Sequence, residues 1–135
     1  MSDPAMIKTI YLKATREKVW RHLTEKDLLA RWFHETDRDL TANVSFQYLS
    51  FDLDKEDRKL MWGDVVESDP PKKLVHTFTH QWLKGAVTTV TWDLVEVDGG
   101  TQLTMTHEGI PSLEQLSDHD KGWDEHLLRI RMMLT

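Results

Sequence analysis

Residues 74–107 read LVHTFTHQWLKGAVTTVTWDLVEVDGGTQLTMTH, and this stretch decides the fold. Apolar or aromatic side chains alternate with others over residues 74–80, and β-branched residues are enriched over residues 86–97. Both patterns are typical of strands. The glycine-containing segments 83–85 and 98–100 predict the hairpin turns between them. The stretch is therefore predicted to form three consecutive antiparallel strands.

The two turns also predict which residues face each other. With Gly99-Gly100 as a two-residue type I′ turn, Trp92 faces His107 on the next strand. With residues 83–85 as a three-residue loop, His76 faces Trp92. This register predicts a row of His76, Trp92 and His107 across the inward face of the sheet.

The preceding strand, residues 60–67, stops before Pro70-Pro71, because proline cannot donate to a ladder. One register of this hairpin places Asp64 opposite His76, whereas a slip of one residue turns Asp64 to the outer face. We favour the first register because it also turns Trp62 inward.

Upstream of these strands, the pattern predicts one strand, two short helices and a further strand. Residues 7–14 and 44–48 alternate as strands do. Thr15 is a suitable N-cap for the first helix, and Thr24 is predicted to cap the second. At the other end, apolar residues between positions 116 and 134 fall near one helical stripe and predict a long C-terminal helix.

This order predicts an α+β fold: a curved antiparallel sheet of six to seven strands around a long C-terminal helix, with two short helices after the first strand. The chain has 135 residues, so residues 1–135 are expected to form a single domain. Charged residues 54–59 are predicted to form a solvated turn. One helix cannot cover such a sheet completely. The uncovered part predicts a cavity for an apolar small molecule, which the six tryptophans are available to line.

Composition argues against several other classes of function. The chain has no cysteine, which excludes disulfides and thiolate metal sites. Its net charge is -6, with acidic and basic residues interspersed, so nucleic-acid binding has no electrostatic support. No apolar run approaches the roughly 20 residues of a membrane span, and the N-terminus lacks the profile of a secretory signal. We therefore expect a cytoplasmic protein without membrane insertion.

Six short segments resemble one known family. They are residues 14–20, 28–33, 63–67, 69–75, 100–107 and the pair Gly122-Trp123. In this order they are similar to the bacterial homologues of the heat-shock-protein-90 ATPase activator, the AHSA-type members of the START-like, SRPBCC superfamily. The resemblance implies a helix-grip fold with a seven-stranded sheet and a deep cavity, used across the superfamily for lipids, polyketides and steroids. It implies no reaction. The loop 34–37 is shorter than in many relatives, so ligand size does not carry over.

The predicted cavity gives a set of candidate ligand-binding residues on its expected wall. They are Trp32, Phe33, Phe46, Tyr48, Trp62, Asp64, His76, Phe78, Trp92, Met105, His107, Trp123 and Leu127. For each aromatic residue, core packing is the other role, and base rates favour it over cavity lining. Trp123 is the best candidate, because the adjacent Gly122 lets the helix approach the sheet or a ligand closely.

The histidines raise the question of a metal site. His76 and His80 are four residues apart, which on a strand separates them by about 13 Å, too far for one ion. We therefore expect no metal, and no cofactor. Asp64 beside His76 would form an acid–base pair, but we favour a purely structural role for it, because no nucleophile or oxyanion element accompanies the pair.

Three functions remain open from the sequence. The first is a non-catalytic binder or carrier of an apolar small molecule, lipid- or polyphenol-like. The second is a cyclase- or hydrolase-like enzyme using His76, His107 and Asp64. The third is an interaction module, either linked to a chaperone or forming a homodimer through an exposed strand edge. We rank them in that order.

Overall fold

The computed structural model describes residues 5–49 and 59–134, which form one six-stranded sheet and three α-helices. The elements are β1 (Met6–Leu12), α1 (Arg16–Thr24), α2 (Lys26–Trp32), β2 (Ser45–Leu49), β3 (Lys59–Asp69), β4 (Lys73–His80), a 3₁₀ turn (Gln81–Leu83), β5 (Thr88–Val97), β6 (Gly100–Glu108) and α3 (Leu113–Met133). The strand order is β1-β6-β5-β4-β3-β2, and every neighbouring pair is antiparallel. This confirms the predicted α+β arrangement. The turn predicted at residues 54–59 lies outside the described residues, apart from the backbone of Lys59.

The first helix begins as predicted, and the second does not. Thr15 Oγ1 accepts a hydrogen bond from Lys18 N at 3.2 Å, which makes Thr15 the N-cap of α1. Thr24 is the last residue of α1 instead of the cap of α2, and its hydroxyl donates to a carbonyl one turn earlier. Asp39 Oδ1, from the loop after α2, accepts from Lys26 N at 2.8 Å. A carboxylate distant in sequence therefore replaces the expected local cap.

The turn between β5 and β6 lies one residue before its predicted place. Val97 pairs with Gly100, so Asp98 and Gly99 form the turn, and Gly99 takes the positive φ of 84°. Gly100 is needed within β6, because a Cβ there would lie 2.0 Å from the carbonyl oxygen of Leu12 on β1. Every β5–β6 pair consequently differs by two residues from the prediction.

A shift of two residues changes the neighbours but not the faces. The β4–β5 pairing shifts likewise, because the connection holds a 3₁₀ turn followed by two residues with positive φ, not a three-residue loop. His76 therefore faces Val90, and Val90 faces His107. The predicted row was wrong in its middle member, Trp92. All three predicted members are nevertheless buried on the inward face.

A bulge in β3 overturns the prediction for Asp64 and Trp62. An irregularity between Val65 and Glu67 adds one residue to β3 and reverses the faces of the residues before it. Val65, not Asp64, then faces His76. Asp64 is exposed on the outer face, and Trp62 lies on that same face, partly buried. The predicted Asp64–His76 pair therefore does not form.

The inner face of the sheet packs against the three helices around one core. Trp32, Phe46, Leu74, Met105 and Ile130 are almost completely buried and come from both layers. None of the helices in the described part of the chain is long and apolar enough to cross a membrane.

The edge strand β1 is tied to α3 by a charged side chain. Lys8 Nζ lies 2.7 Å from Asp120 Oδ1 and 2.6 Å from Asp124 Oδ1, and the lysine side chain is mostly buried. A charge on an edge strand that points toward the core disfavours pairing with the edge of another chain. The contact fixes the middle of α3 over this side of the sheet.

Candidate functional site

Two buried histidines on the inner face each accept a hydrogen bond from a tryptophan. Trp92 Nε1 donates to His76 Nε2 at 3.0 Å, and His76 Nδ1 donates to the carbonyl of Thr77 at 2.9 Å. This arrangement assigns the ring proton to Nδ1 and leaves the imidazole neutral. Burial lowers the pKa of His76 to about 4, although the bond to the Thr77 carbonyl opposes the shift.

His107 repeats the arrangement with the opposite ring nitrogen. Trp123 Nε1 donates to His107 Nδ1 at 3.0 Å, and His107 Nε2 donates to Thr88 Oγ1 at 2.8 Å. Thr88 can accept this bond because its own hydroxyl proton goes to the carbonyl of Phe78. Burial, followed by the nearby His119, lowers the pKa of His107 to about 3. Both nitrogens of each buried histidine are occupied, so neither ring is available as a general base.

Aromatic rings fill the centre of the interior. Phe33 and Trp123 stack with centroids 5.2 Å apart and planes 5° apart. Trp92 meets Trp123 at 5.5 Å and Trp32 at 6.1 Å, both edge to face. The large central cavity expected from the sequence is therefore mostly packed.

A pocket of about 310 Å³ remains at one end of this core, where the N-terminal half of α3 passes over β3 and β4. Its wall combines large apolar side chains with four histidines, and α3 adds Gln115, Asp118 and Gly122. The lining consists of Phe33, His34, Met61, Phe78, His80, Trp82, Gln115, Asp118, His119, Gly122, Trp123 and His126. The apolar wall with a few polar groups is typical of small-molecule sites.

A histidine pair connects the sheet to α3 beside this pocket. His80 Nε2 lies 2.9 Å from His119 Nε2, and His119 Nδ1 lies 2.6 Å from the carbonyl of Gln115. Since a carbonyl only accepts, His119 donates from Nδ1, and its Nε2 forms the hydrogen bond with His80 Nε2. Burial, followed by the neighbouring His119, lowers the pKa of His80 to about 4. This low pKa keeps the His80 ring uncharged at neutral pH, and the hydrogen bond between the two rings joins β4 to α3.

The opposite side of the pocket carries His34 and His126, whose ring centroids are 5.2 Å apart. Arg129 donates to His126 Nδ1 at 2.7 Å, which assigns the His126 proton to Nε2. Burial lowers the pKa of His34 to about 4 and also lowers the pKa of His126. These two rings are also neutral at pH 7.

The sequence profile of one family matches residues 13–135, and its description is "Activator of Hsp90 ATPase homolog 1-like protein". The match covers almost the whole chain. The chain belongs to this family. A search of curated proteins found no significant match.

Solved structures resemble this AHSA1-family chain at low sequence identity. An HSP90 activator from Plasmodium falciparum has a TM-score of 0.80 at 22% identity, over 98% of this chain and 96% of that one. CalU16 from Micromonospora echinospora has a TM-score of 0.79 at 23% identity, over 97% and 76%. DynU16, from the dynemicin biosynthetic locus, has a TM-score of 0.82 at 20% identity, and this chain spans about half its length, 47%. These likenesses establish the helix-grip fold of the family.

Within the AHSA1 fold, the predicted ligand-binding residues separate into three groups. Phe33, Phe78 and Trp123 line the pocket. Eight others are buried in the core outside the lining: Trp32, Phe46, Tyr48, His76, Trp92, Met105, His107 and Leu127. Trp62 and Asp64 lie on the outer face of the sheet, so an enzyme built on Asp64 and His76 has no geometric basis.

The sequence interpretation missed most of the pocket's polar side. Gln115, His119, Gly122 and His126 are spaced by four, three and four residues, which places them on one face of α3. That helical spacing was present in the sequence and would have identified this wall. Trp82 had no such signal, because it lies on the short 3₁₀ turn after β4.

Metal binding has little support in this pocket. The described residues contain no group of three or more histidine, aspartate or glutamate side chains arranged to hold a metal ion. Two paired imidazoles that already share a proton supply too few ligands for a closed site.

Proposed function

We propose that this AHSA1-family chain binds a small, flat, apolar molecule in the pocket between β3, β4 and α3. The observation that supports this is the pocket itself, whose wall is built from Phe33, Met61, Phe78 and Trp123. Such a concave apolar wall with a few polar groups is the usual form of a small-molecule site.

The pocket volume restricts the class of ligand. About 310 Å³ is near the lower end of the roughly 300–1,000 Å³ range of ligand pockets. At about 30 Å³ per water, it corresponds to about ten waters. A molecule of one or two rings fits this space better than a long acyl chain, so the proposal favours a polyphenol-sized ligand over a lipid.

The pocket can be filled without disturbing the fold, because Gly122 lies in its lining. A Cβ built on Gly122 meets no atom within 4 Å, and the residue is in the middle of α3. Gly122→Leu is expected to weaken binding of the probe 2-naphthol at least about tenfold by occupying its volume. It is also expected to raise the melting temperature, since glycine costs a helix about 1 kcal/mol relative to better helix formers. Titration calorimetry and thermal unfolding measure the two effects.

Gly122→Ala is the matched control, because it adds the same helix preference but only one methyl group. It is expected to raise the melting temperature while keeping most of the affinity for 2-naphthol. Unchanged affinity in Gly122→Leu would place the ligand elsewhere. No binding of any ring compound to the wild type, with nothing co-purified in native mass spectrometry, would contradict the proposed function.

A second candidate function is a contact with the chaperone Hsp90. It is favoured by the family match and by the likeness to a protein described as an HSP90 activator. An activator is expected to raise the ATPase rate of Hsp90 severalfold when added in stoichiometric amounts, with an unrelated protein of similar size as control. An unchanged ATPase rate together with no detectable complex would exclude this role.

A further inference from the structure

The charge of the pocket lining is one-sided. No lysine or arginine belongs to the lining formed by the described residues, and Asp118 is its single carboxylate. Burial keeps His34 and His80 uncharged at neutral pH, since the pKa of each is about 4. Asp118 is therefore the single side chain of the lining that carries a fixed charge.

The aromatic walls add to this negative character. Phe33, Phe78 and Trp123 form the interior, and Trp82 forms the rim with 59% of its surface exposed. Aromatic faces carry negative electrostatic potential and attract cations placed within about 6 Å. Gln115 Nε2 donates to the backbone carbonyl of Trp82 at 2.7 Å, which ties the 3₁₀ turn to α3. Trp82 and Asp118 both line this pocket and the neighbouring surface groove, so the exposed indole and the carboxylate border the same opening.

Lys121, one helical turn beyond Asp118 on α3, lies outside the pocket lining and forms no ion pair with that carboxylate. Arg129 contacts the lining residue His126 on the opposite side of the pocket and is eleven residues beyond Asp118 on α3, which is about 16 Å along the helix. Lys84 lines the neighbouring surface groove with Asp118, but no ion pair joins them. Among the described residues, no lysine or arginine lies within ion-pair distance of Asp118.

We propose that the pocket selects small aromatic amines, with the ring among Phe33, Phe78 and Trp123 and the ammonium group at the rim between Trp82 and Asp118. This inference rests on the proposed function and assigns its ligand class. An ammonium group there gains both the carboxylate and the indole face. A carboxylate at the same rim meets the like charge of Asp118, so organic acids, fatty acids included, are disfavoured there.

Three probes with one ring system test this selectivity: tryptamine as the cation, indole-3-propionate as the anion and 3-methylindole as the neutral compound. Tryptamine is expected to bind at least about tenfold more tightly than indole-3-propionate in titration calorimetry at pH 7. Its advantage over 3-methylindole is expected to decrease as salt is added, because the rim is exposed to solvent.

Asp118→Asn is expected to weaken tryptamine binding about three- to tenfold and to leave 3-methylindole unchanged. Glu125→Gln removes the same charge from α3 outside the pocket lining and is expected to leave both affinities unchanged. Equal binding of the three probes, or the same tryptamine affinity in Asp118→Asn, would overturn the inference. If 2-naphthol binds under these conditions, the proposed function survives that result. If neither 2-naphthol nor any indole binds, the proposed function fails as well.

Discussion

Acidification from pH 6.5 to pH 4 is expected to remove about 6 kcal/mol of the free energy of unfolding, through His76 and His107 alone. The pKa of His76 is about 4 and that of His107 about 3, against an ordinary value of 6.5. In this interval the unfolded chain binds two protons that the folded chain excludes. Stability is therefore complete above pH 6.5 and falls as the pH falls toward the folded pKa values. Each histidine contributes about 1.4 kcal/mol per pH unit, which is about 3 kcal/mol per histidine over the whole interval.

Urea unfolding at pH 7, 6, 5 and 4, followed by circular dichroism, measures this dependence. The pKa values of His34 and His80 are also lowered in the folded protein. These two groups therefore make the dependence of stability on pH steeper. His107→Gln is the informative variant. It is expected to be less stable at pH 7, because one of the two bonds to Trp123 and Thr88 is lost. Its unfolding free energy is also expected to fall less steeply with decreasing pH, by the slope that one bound proton contributes. A wild-type profile that stays flat down to pH 4.5 would mean that the two rings are charged or accessible in the native state.

The alternation of side chains predicted the faces of β4, β5 and β6 but not their neighbours. His76, Trp92 and His107 are inward because errors of two residues in both strand registers preserve the faces. The same reasoning failed for Asp64, because a bulge of one residue has no signature in the alternation. The alternation of side chains therefore predicts which face of the sheet a residue lies on only as far as the next bulge in the strand.

The size of the cavity could not be predicted from the order of the elements. One helix over six strands indicates too little cover, but the volume depends on how the side chains interlock. Here Trp92 and Trp123 reach inward to donate to His76 and His107, which fills the centre. Such pairs join residues sixteen positions apart and depend on the register, so they follow only from the three-dimensional structure. What remains is the smaller pocket near Gly122.

Replacement of Gly63 by alanine is expected to destabilise the fold by about 3 kcal/mol or more. A Cβ on Gly63 would lie 2.0 Å from the carbonyl oxygen of Thr77 and 3.1 Å from the ring of Phe46. The first atom belongs to the backbone of β4, so relief of the clash requires the two strands to separate. Separation would also break the hydrogen bond from Asp64 N to Thr77 Oγ1, which is 2.8 Å long.

The free energy of unfolding in urea measures the effect of this substitution, and Gly122→Ala gives the contrast. The chemical change is identical, but the site in α3 is open, so the two variants are expected to change stability with opposite signs. Met61 lies two residues before Gly63 on β3 and pairs with His80 on β4. Met61 and His80 both line the pocket. Gly63→Ala is therefore also expected to weaken 2-naphthol binding, even where it remains folded. A Gly63→Ala protein within 1 kcal/mol of the wild type would show that β3 and β4 are not held at this close approach, and the pocket wall built on them would then be adjustable instead of fixed.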